Sequence, residues 1–274
     1  MASYDVTDSA IKGYALVWQE RRYLFKLVVF PLLIKFVCAM TVIANGLEFD
    51  FIKQALLMLP SYIADGWVMS HLVRLVYLDQ RWPFRPSGHA HNDMAALRDR
   101  ARGIMGGTIF FTLIEFLKTG YLGIFFALMS PPGTVPGQES ATLLSPDTTV
   151  SGAAALLALA LMVLTIWSVR YLWLYIPAAA GFSGRDYLRQ VGGLIGSIRL
   201  LGAWMICAVP LLFSFIFAMN LFLSPFLTPQ GFPPALDFLV NGMRVIVSMI
   251  AGLITTAGMA CVIRSMFEVN KTRA

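Results

Sequence analysis

The sequence predicts an all-α integral membrane protein in which six helices cross the bilayer, and three observations support this prediction. Hydrophobic residues make up 58% of the 274 positions and charged residues only 13%, against about 25% charged residues in soluble domains. Six stretches are long and apolar enough to cross about 30 Å of hydrocarbon as helices. Lysines and arginines gather in alternate connections between these stretches. The whole chain, residues 1–274, is therefore interpreted as one polytopic membrane domain.

The predicted spans have clear starts and ends in the sequence. They cover about 24–44, 51–78, 104–130, 153–176, 200–223 and 238–262. The third span carries Glu115 and Lys118 near its middle, at the depth where charge is least favourable. Four prolines are expected to kink or break the helices, as Pro does when it removes a backbone donor: Pro31, Pro60, Pro177 and Pro210.

Amphipathic segments precede the three odd-numbered spans, at about 10–25, 92–102 and 181–199. Each is expected to lie as a helix at the cytoplasmic surface of the membrane. The even-numbered spans end in related strings: VRLVY at 73–77, VRYLW at 169–173 and IRSMF at 263–267. One interpretation is a threefold repeat of interfacial helix plus helical hairpin. The other is that every helix leaving toward the cytoplasm needs a snorkelling arginine and an interfacial aromatic residue.

The basic residues predict the orientation, because cytoplasmic connections are enriched in Lys and Arg. Both termini are expected in the cytoplasm, and the predicted location is the bacterial inner (cytoplasmic) membrane. The opposite side carries only Lys53. This rule accounts for the net charge of +6, so no nucleic-acid partner is predicted, whereas anionic lipid is. The basic residues assigned to the cytoplasmic interface are Arg21, Arg22, Arg74, Arg98, Arg100, Arg102, Arg170, Arg185, Arg189 and Arg264.

Five charged residues fall well inside the predicted spans: Lys35, Asp65, Glu115, Lys118 and Arg244. Each is expected to face other helices, water or a partner charge, since a lone charge in hydrocarbon is costly. Glu115 and Lys118 are neighbours on one helix surface, and Lys35 and Asp65 lie at matching depths of adjacent spans. Such charges form either a polar pathway across the bundle or mutually neutralising pairs that fix helix order.

Other chemistry-bearing residues give weaker indications. His89, His91 and Asp93 form an H-x-H-x-D string that resembles part of the metal-binding signature of metallo-β-lactamase-like hydrolases. Met94 stands where that family has a histidine, so we interpret the string as a solvated loop and predict neither metal nor cofactor. The cysteines, at 38, 207 and 261, all lie in apolar segments and are expected to be free thiols.

Two functional hypotheses follow. No catalytic motif is recognised, which favours a non-enzymatic accessory, assembly or scaffold subunit that contacts a membrane-protein partner or a second copy of this chain. The alternative is a transporter or channel for a small solute or ion, which would use the charged residues and the prolines inside the spans.

Overall fold

A computed structural model describes residues 6–47, 50–84, 86, 89–129, 152–223 and 234–271. Within these ranges the protein is all-helical and has no strand. The helices, in chain order, are α1 (Val6–Gln19), α2 (Arg21–Ala44), α3 (Phe51–Leu57), α4 (Leu59–Leu78), α5 (Ala90–Met129), α6 (Gly152–Ser168), α7 (Tyr175–Ala180), α8 (Gly184–Val191), α9 (Leu194–Leu223) and α10 (Pro234–Lys271). A 3₁₀ helix, Val169–Trp173, joins α6 to α7.

Four helical stretches in the described part of the chain are long and apolar enough to cross a membrane: Arg21–Ala44, Leu159–Ala180, Leu194–Phe222 and Phe238–Phe267. They correspond to the first, fourth, fifth and sixth predicted spans, and they make the fold compatible with an integral membrane protein. The helices α4 and α5, at the second and third predicted spans, are not among the four. The six-span count therefore stays a prediction.

The helix α4 lies at the centre of the molecule, in contact with α2, α5, α7 and α10. Most of its residues are buried, including the polar Asp65, His71 and Arg74. A helix with these three side chains is unsuited to face lipid. Its neighbours instead surround it with apolar residues, among them Ile176 and Ala257, which are fully buried.

The outer helical faces are apolar and exposed. Phe25, Phe30, Phe213, Phe217 and Phe222 are each 63–72% exposed. Soluble proteins rarely expose so many large apolar side chains together. Such faces are compatible with contact to lipid tails, which agrees with the apolar character of α2 and α9.

Several predicted segments differ from the observed helices. The second span is broken at Met58 into α3 and α4, because Pro60 occupies the first turn of α4. The fourth changes to 3₁₀ geometry over Val169–Trp173, just before Pro177, which cannot donate a backbone hydrogen bond. The amphipathic segment at 92–102 and the third span form one continuous helix, α5, rather than two elements.

Helix α1 packs against α9 and α10. Gly13 lies so close to α10 that an added Cβ would stand 2.5 Å from the backbone of Gly258. The hydroxyl of Tyr14 donates to the backbone oxygen of Cys207 in α9 at 2.5 Å. This amphipathic helix therefore lies against the bundle, in addition to any contact with lipid headgroups. The three cysteines are free thiols, as predicted.

Two of the connections predicted to face outward, 131–150 and 224–233, lie outside the described residues.

Candidate functional site: a charged cavity between the helices

A cavity of about 430 Å³ lies between α2, α4, α5, α9, α10 and the 3₁₀–α7 segment. Its wall combines charged, hydroxyl-bearing and aromatic side chains. The residues that line it are Lys35, Tyr62, Asp65, Met69, Phe111, Ile114, Glu115, Lys118, Leu172, Trp173, Tyr175, Trp204, Ser248, Gly252, Thr255 and Thr256. Four of the five charged residues predicted inside spans thus meet at one place.

Lys35 and Asp65 form the more buried of two ion pairs in this cavity. The Lys35 Nζ lies 2.8 Å from Asp65 Oδ2, and the two side chains are 17% and 7% exposed. The contact joins α2 to α4 one turn after Pro31, where the α2 backbone has lost a hydrogen bond. The second carboxylate oxygen, Oδ1 of Asp65, has no hydrogen-bond partner among the described residues. Most buried side-chain polar atoms have at least one hydrogen-bond partner.

The second pair lies within α5. Lys118 Nζ donates to Glu115 Oε1 at 2.6 Å, three residues apart on one helix face. The two side chains are 46% and 23% exposed, far more than those of the first pair. About half of the Lys118 side chain is thus exposed at the α5 side of the cavity, whereas Lys35 and Asp65 are enclosed.

Hydroxyl groups continue the polar lining. The hydroxyls of Tyr62 and Thr119 share a hydrogen bond of 2.9 Å, and those of Tyr175 and Thr256 share one of 2.8 Å. The indole nitrogen of Trp173, a residue only 7% exposed, has no partner within the described part of the chain. Sequence reasoning missed these residues. The available signal was the presence of tyrosines in the middle of apolar stretches, where their hydroxyls need a partner.

Arg244 is not part of this site. Its guanidinium Nη1 lies 3.5 Å from the side-chain oxygen of Asn241 on the same helix, α10, and it does not line the cavity. Four of the five charged residues predicted inside spans therefore lie together, and Arg244 lies apart from them.

The three arginines of the related strings share a structural role that sequence reasoning missed. Each donates to a backbone carbonyl at the C-terminal end of another helix: Arg74 to Ala179 in α7 (3.0 Å), Arg170 to Gly192 after α8 (3.1 Å), and Arg264 to Val76 in α4 (2.8 Å). The last carbonyls of a helix lack partners within the helix and carry partial negative charge. A guanidinium group at these positions donates hydrogen bonds to the unpartnered carbonyls and balances their partial negative charge.

Arg74 is the most buried of the three, with no exposed surface. Besides Ala179, it donates to Gln80 Oε1 at 2.9 Å and to Asp99 Oδ2 at 2.9 Å. Gly103 allows this arrangement, because an added Cβ there would stand 2.1 Å from the Arg74 Nη1. The expected snorkelling of Arg74 toward the membrane surface is thus replaced by burial with three acceptors.

The other basic residues assigned to the interface separate into two groups. Six are exposed, as residues facing water or headgroups would be: Arg21, Arg22, Arg98, Arg102, Arg185 and Arg189. Arg21 also stacks on the Trp18 ring at 4.9 Å. Arg100, by contrast, is only 7% exposed.

The histidines are apart from one another. His89 and His91 are exposed, whereas His71 is buried in α4 against the ring of Trp67, with 4.6 Å between ring centroids. In the described ranges no three His, Cys, Asp or Glu side chains gather as a metal site would require.

The cavity therefore offers two carboxylates, two ammonium groups, several hydroxyls and an aromatic wall. Such a set fits the binding of a small polar or charged solute, since both signs of charge and both kinds of hydrogen-bonding partner are present. No protein-family model, no curated protein and no solved structure matches this chain.

Proposed function

We propose that this chain is a six-span membrane protein that binds a small polar solute or ion in the charged cavity and moves it across the bilayer. The observation that carries the proposal is that Lys35, Asp65, Glu115 and Lys118 line one cavity. Charges in a membrane interior are expensive and mark pathways for substrates or ions. The spans would be α2, α3 with α4, α5, α6 to α7, α9 and α10, with both termini in the cytoplasm of a bacterial cell.

Two buried atoms of residues that line the cavity, Asp65 Oδ1 and Trp173 Nε1, have no partner among the described residues and are available to a bound solute. If the charges only fixed helix order, each carboxylate oxygen and indole nitrogen would be expected to find a partner within the protein. Asp65 Oδ1 needs a donor and Trp173 Nε1 needs an acceptor. A solute that carries both kinds of group would satisfy the two atoms together.

A solute screen on the purified protein tests this proposal. The melting temperature in detergent is measured with amino acids, organic cations, carboxylates and inorganic ions, for the wild type and for Asp65→Asn. The matched control is Arg244→Gln, which removes a charge of α10 outside the cavity. At least one class is expected to stabilise the wild type and Arg244→Gln but not Asp65→Asn, and to accumulate in proteoliposomes. Stabilisation of all three proteins alike, or of none, would contradict the proposal.

Water access to the cavity gives a second test that needs no substrate. In a variant without native cysteines, Ser248→Cys places a thiol at the cavity wall, and Ile250→Cys places one on an apolar surface of α10. A hydrophilic thiosulfonate reagent reacts with ionised thiols, which form in water and not in lipid. We expect reaction at position 248 and none at 250. No reaction at either position would exclude a hydrated pathway.

The accessory or scaffold role predicted from the sequence stays a second candidate. An apolar groove of about 480 Å³ favours it, lined by Phe30 and Pro31 of α2, Ile63 of α4, and Met105 and Ile109 of α5. A helix of a partner protein fits such a groove. A partner that co-purifies in mild detergent, is lost on Met105→Arg and is kept by Asp65→Asn would favour this role over transport.

A further inference from the structure

A second cavity, of about 440 Å³, lies at the end of the bundle where α4 leaves the core. The first turn of α2, residues 79–84 and the early turns of α5 form its walls. Its lining includes Tyr23, Asp79, Arg81, Trp82, Ala96 and Arg100. It shares no lining residue with the charged cavity between the helices.

Arg100 is a buried cation without a counter-charge in this wall. It is only 7% exposed, and its Nη2 donates to the backbone oxygen of Arg81 at 2.7 Å. Among the residues that the structure describes, no carboxylate lies within ion-pair distance of it. Burial lowers the pKa of its guanidinium, although arginine stays protonated in proteins. Buried charges are normally paired, as the neighbouring Arg74 is by Asp99.

The groups around Arg100 are mainly hydrogen-bond donors. The Tyr23 hydroxyl accepts from the backbone N–H of Trp82 at 3.0 Å and still has its own proton to donate. Arg81 pairs with Glu20 at 2.7 Å but is 55% exposed, so part of its guanidinium faces outward. The one carboxylate of the lining, Asp79, is 86% exposed and 3.9 Å from Arg81. The lining thus has more positive than negative charge.

The position of the cavity indicates the source of an anion that would balance the charge of Arg100. Tyr23 belongs to the first turn of Arg21–Ala44, a stretch apolar enough to cross the membrane, so the cavity opens at the level of lipid headgroups. Trp82, beside it, is 52% exposed, and amphipathic aromatic rings are typical of that level. Arginine is the side chain whose planar fork matches a phosphate.

We propose that this cavity binds the phosphate group of an anionic phospholipid headgroup, with Arg100 as the central donor and Arg81 and Tyr23 beside it. Arg100 lacks a carboxylate because the lipid phosphate supplies the negative charge. The same chemistry would also accept a soluble phosphate monoester, and the two sources are separated experimentally below. The site is independent of solute binding between the helices.

Native mass spectrometry of the full chain in detergent tests this site. The wild type, Arg100→Gln and the matched control Arg98→Gln, an exposed cation two residues away on α5, are compared with added dioleoyl phosphatidylglycerol, dioleoyl phosphatidylcholine and sn-glycerol 3-phosphate. We expect the wild type and Arg98→Gln to retain phosphatidylglycerol in preference to phosphatidylcholine. Arg100→Gln should bind phosphatidylglycerol about tenfold more weakly, since a charge-assisted hydrogen bond is lost.

Two results would overturn the proposal. Equal weakening in Arg98→Gln and Arg100→Gln would mean general attraction to a basic surface, not a site. Binding of glycerol 3-phosphate as tight as that of the lipid would show that the anion is a soluble ester. If Arg100→Gln does not fold, Arg100→Lys and Arg98→Lys provide the same comparison with charge retained. If the preference for phosphatidylglycerol over phosphatidylcholine falls in Arg100→Lys but not in Arg98→Lys, the site is supported. If the preference is unchanged in Arg100→Lys, the site is rejected.

Discussion

The two ion pairs of the charged cavity illustrate what single residues contribute. Lys35 and Asp65 come from different helices and are largely buried, whereas Glu115 and Lys118 are neighbours on α5 and partly exposed. The sequence allowed both pairs, because matching depth and a spacing of three residues bring such groups together. It did not indicate that Arg244 lies elsewhere. A span that is apolar all round gives no signal of which face meets the core.

Two double-mutant cycles, one for each ion pair, compare the coupling energies of the pairs. Lys35→Met or Asp65→Asn alone leaves one buried charge without its partner, while the double variant removes both. We expect a coupling energy of about 2 kcal/mol in the free energy of unfolding for this pair. The cycle Glu115→Gln with Lys118→Met should give less than about 1 kcal/mol if this pair faces the hydrated cavity of the proposed pathway, since water screens exposed pairs. Equal coupling in the two cycles, measured in the same detergent, would contradict the burial argument.

Arg74 supports a second prediction at this scale. Its replacement by Met leaves the Ala179 carbonyl and Gln80 without their donor in a buried region, so we expect a loss of about 3 kcal/mol or more in stability. Asp99→Asn should cost less than Arg74→Met, because the Asn side-chain oxygen can still accept from Arg74 and Asp99 itself is 67% exposed. Thermal unfolding of both variants is the measurement. A larger effect from Asp99→Asn than from Arg74→Met would show that the ion pair, and not the carbonyl contact, holds this junction.

At the scale of helices, sequence patterns located the elements better than they defined their boundaries. Pro60 correctly indicated a break in the second predicted span, since proline favours the first turn of a new helix. The continuity of α5 was not predicted. The spacing of Gly103 and Gly107 indicates close helix–helix contact, and both glycines are helical and lie against Arg74, Ser70 and Ala179. The partner that a small residue contacts is set by the neighbouring helix, and a local sequence pattern carries no information about that helix.

The contact of α1 with α10 gives a prediction at the same scale. Gly13→Ala places a Cβ 2.5 Å from the Gly258 backbone, which cannot rotate away as a side chain can. The two helices must separate, and we expect a destabilisation of about 1–3 kcal/mol. The control Gly202→Ala, in α9, meets nothing within 4 Å and should be neutral or up to about 1 kcal/mol stabilising. Equal melting temperatures of the two variants would show that α1 is not held by this contact.

At the scale of the whole molecule, composition and the length of the apolar stretches predicted an all-helical membrane protein. The described residues form helices and no strand, and four helical stretches among them are apolar enough to cross a membrane. Charged residues are too few to cover a soluble surface, and hydrocarbon requires backbone hydrogen bonds to be satisfied within each helix. The number of spans is a more detailed prediction than the helical class of the protein. Helices α4 and α5 are not among the four stretches long and apolar enough to cross a membrane in the described part of the chain, so their crossing stays a prediction. The threefold repeat likewise stays a prediction, although its three arginines share one role.

The orientation is tested by labelling introduced cysteines in intact cells. In a background without native cysteines, Gly137→Cys, beyond the described residues, should react with a membrane-impermeant maleimide. Arg98→Cys should react only after lysis, because arginine-rich connections remain in the cytoplasm. A membrane-permeant maleimide, which should label both, controls for reactivity. Labelling of position 98 with protection of position 137 would reverse the topology.

The central place of α4 has a consequence for how the chain is made. Asp65 and Arg74 make this helix a poor candidate to leave the insertion machinery for lipid by itself, since each charged group opposes that step by about 2.5–3.5 kcal/mol. Ala179, which accepts from Arg74, is synthesised about a hundred residues later. If α4 crosses the bilayer as proposed, we expect it to stay beside α2 during biosynthesis until α7 has been made. Translation order would then influence when this polypeptide reaches its folded arrangement.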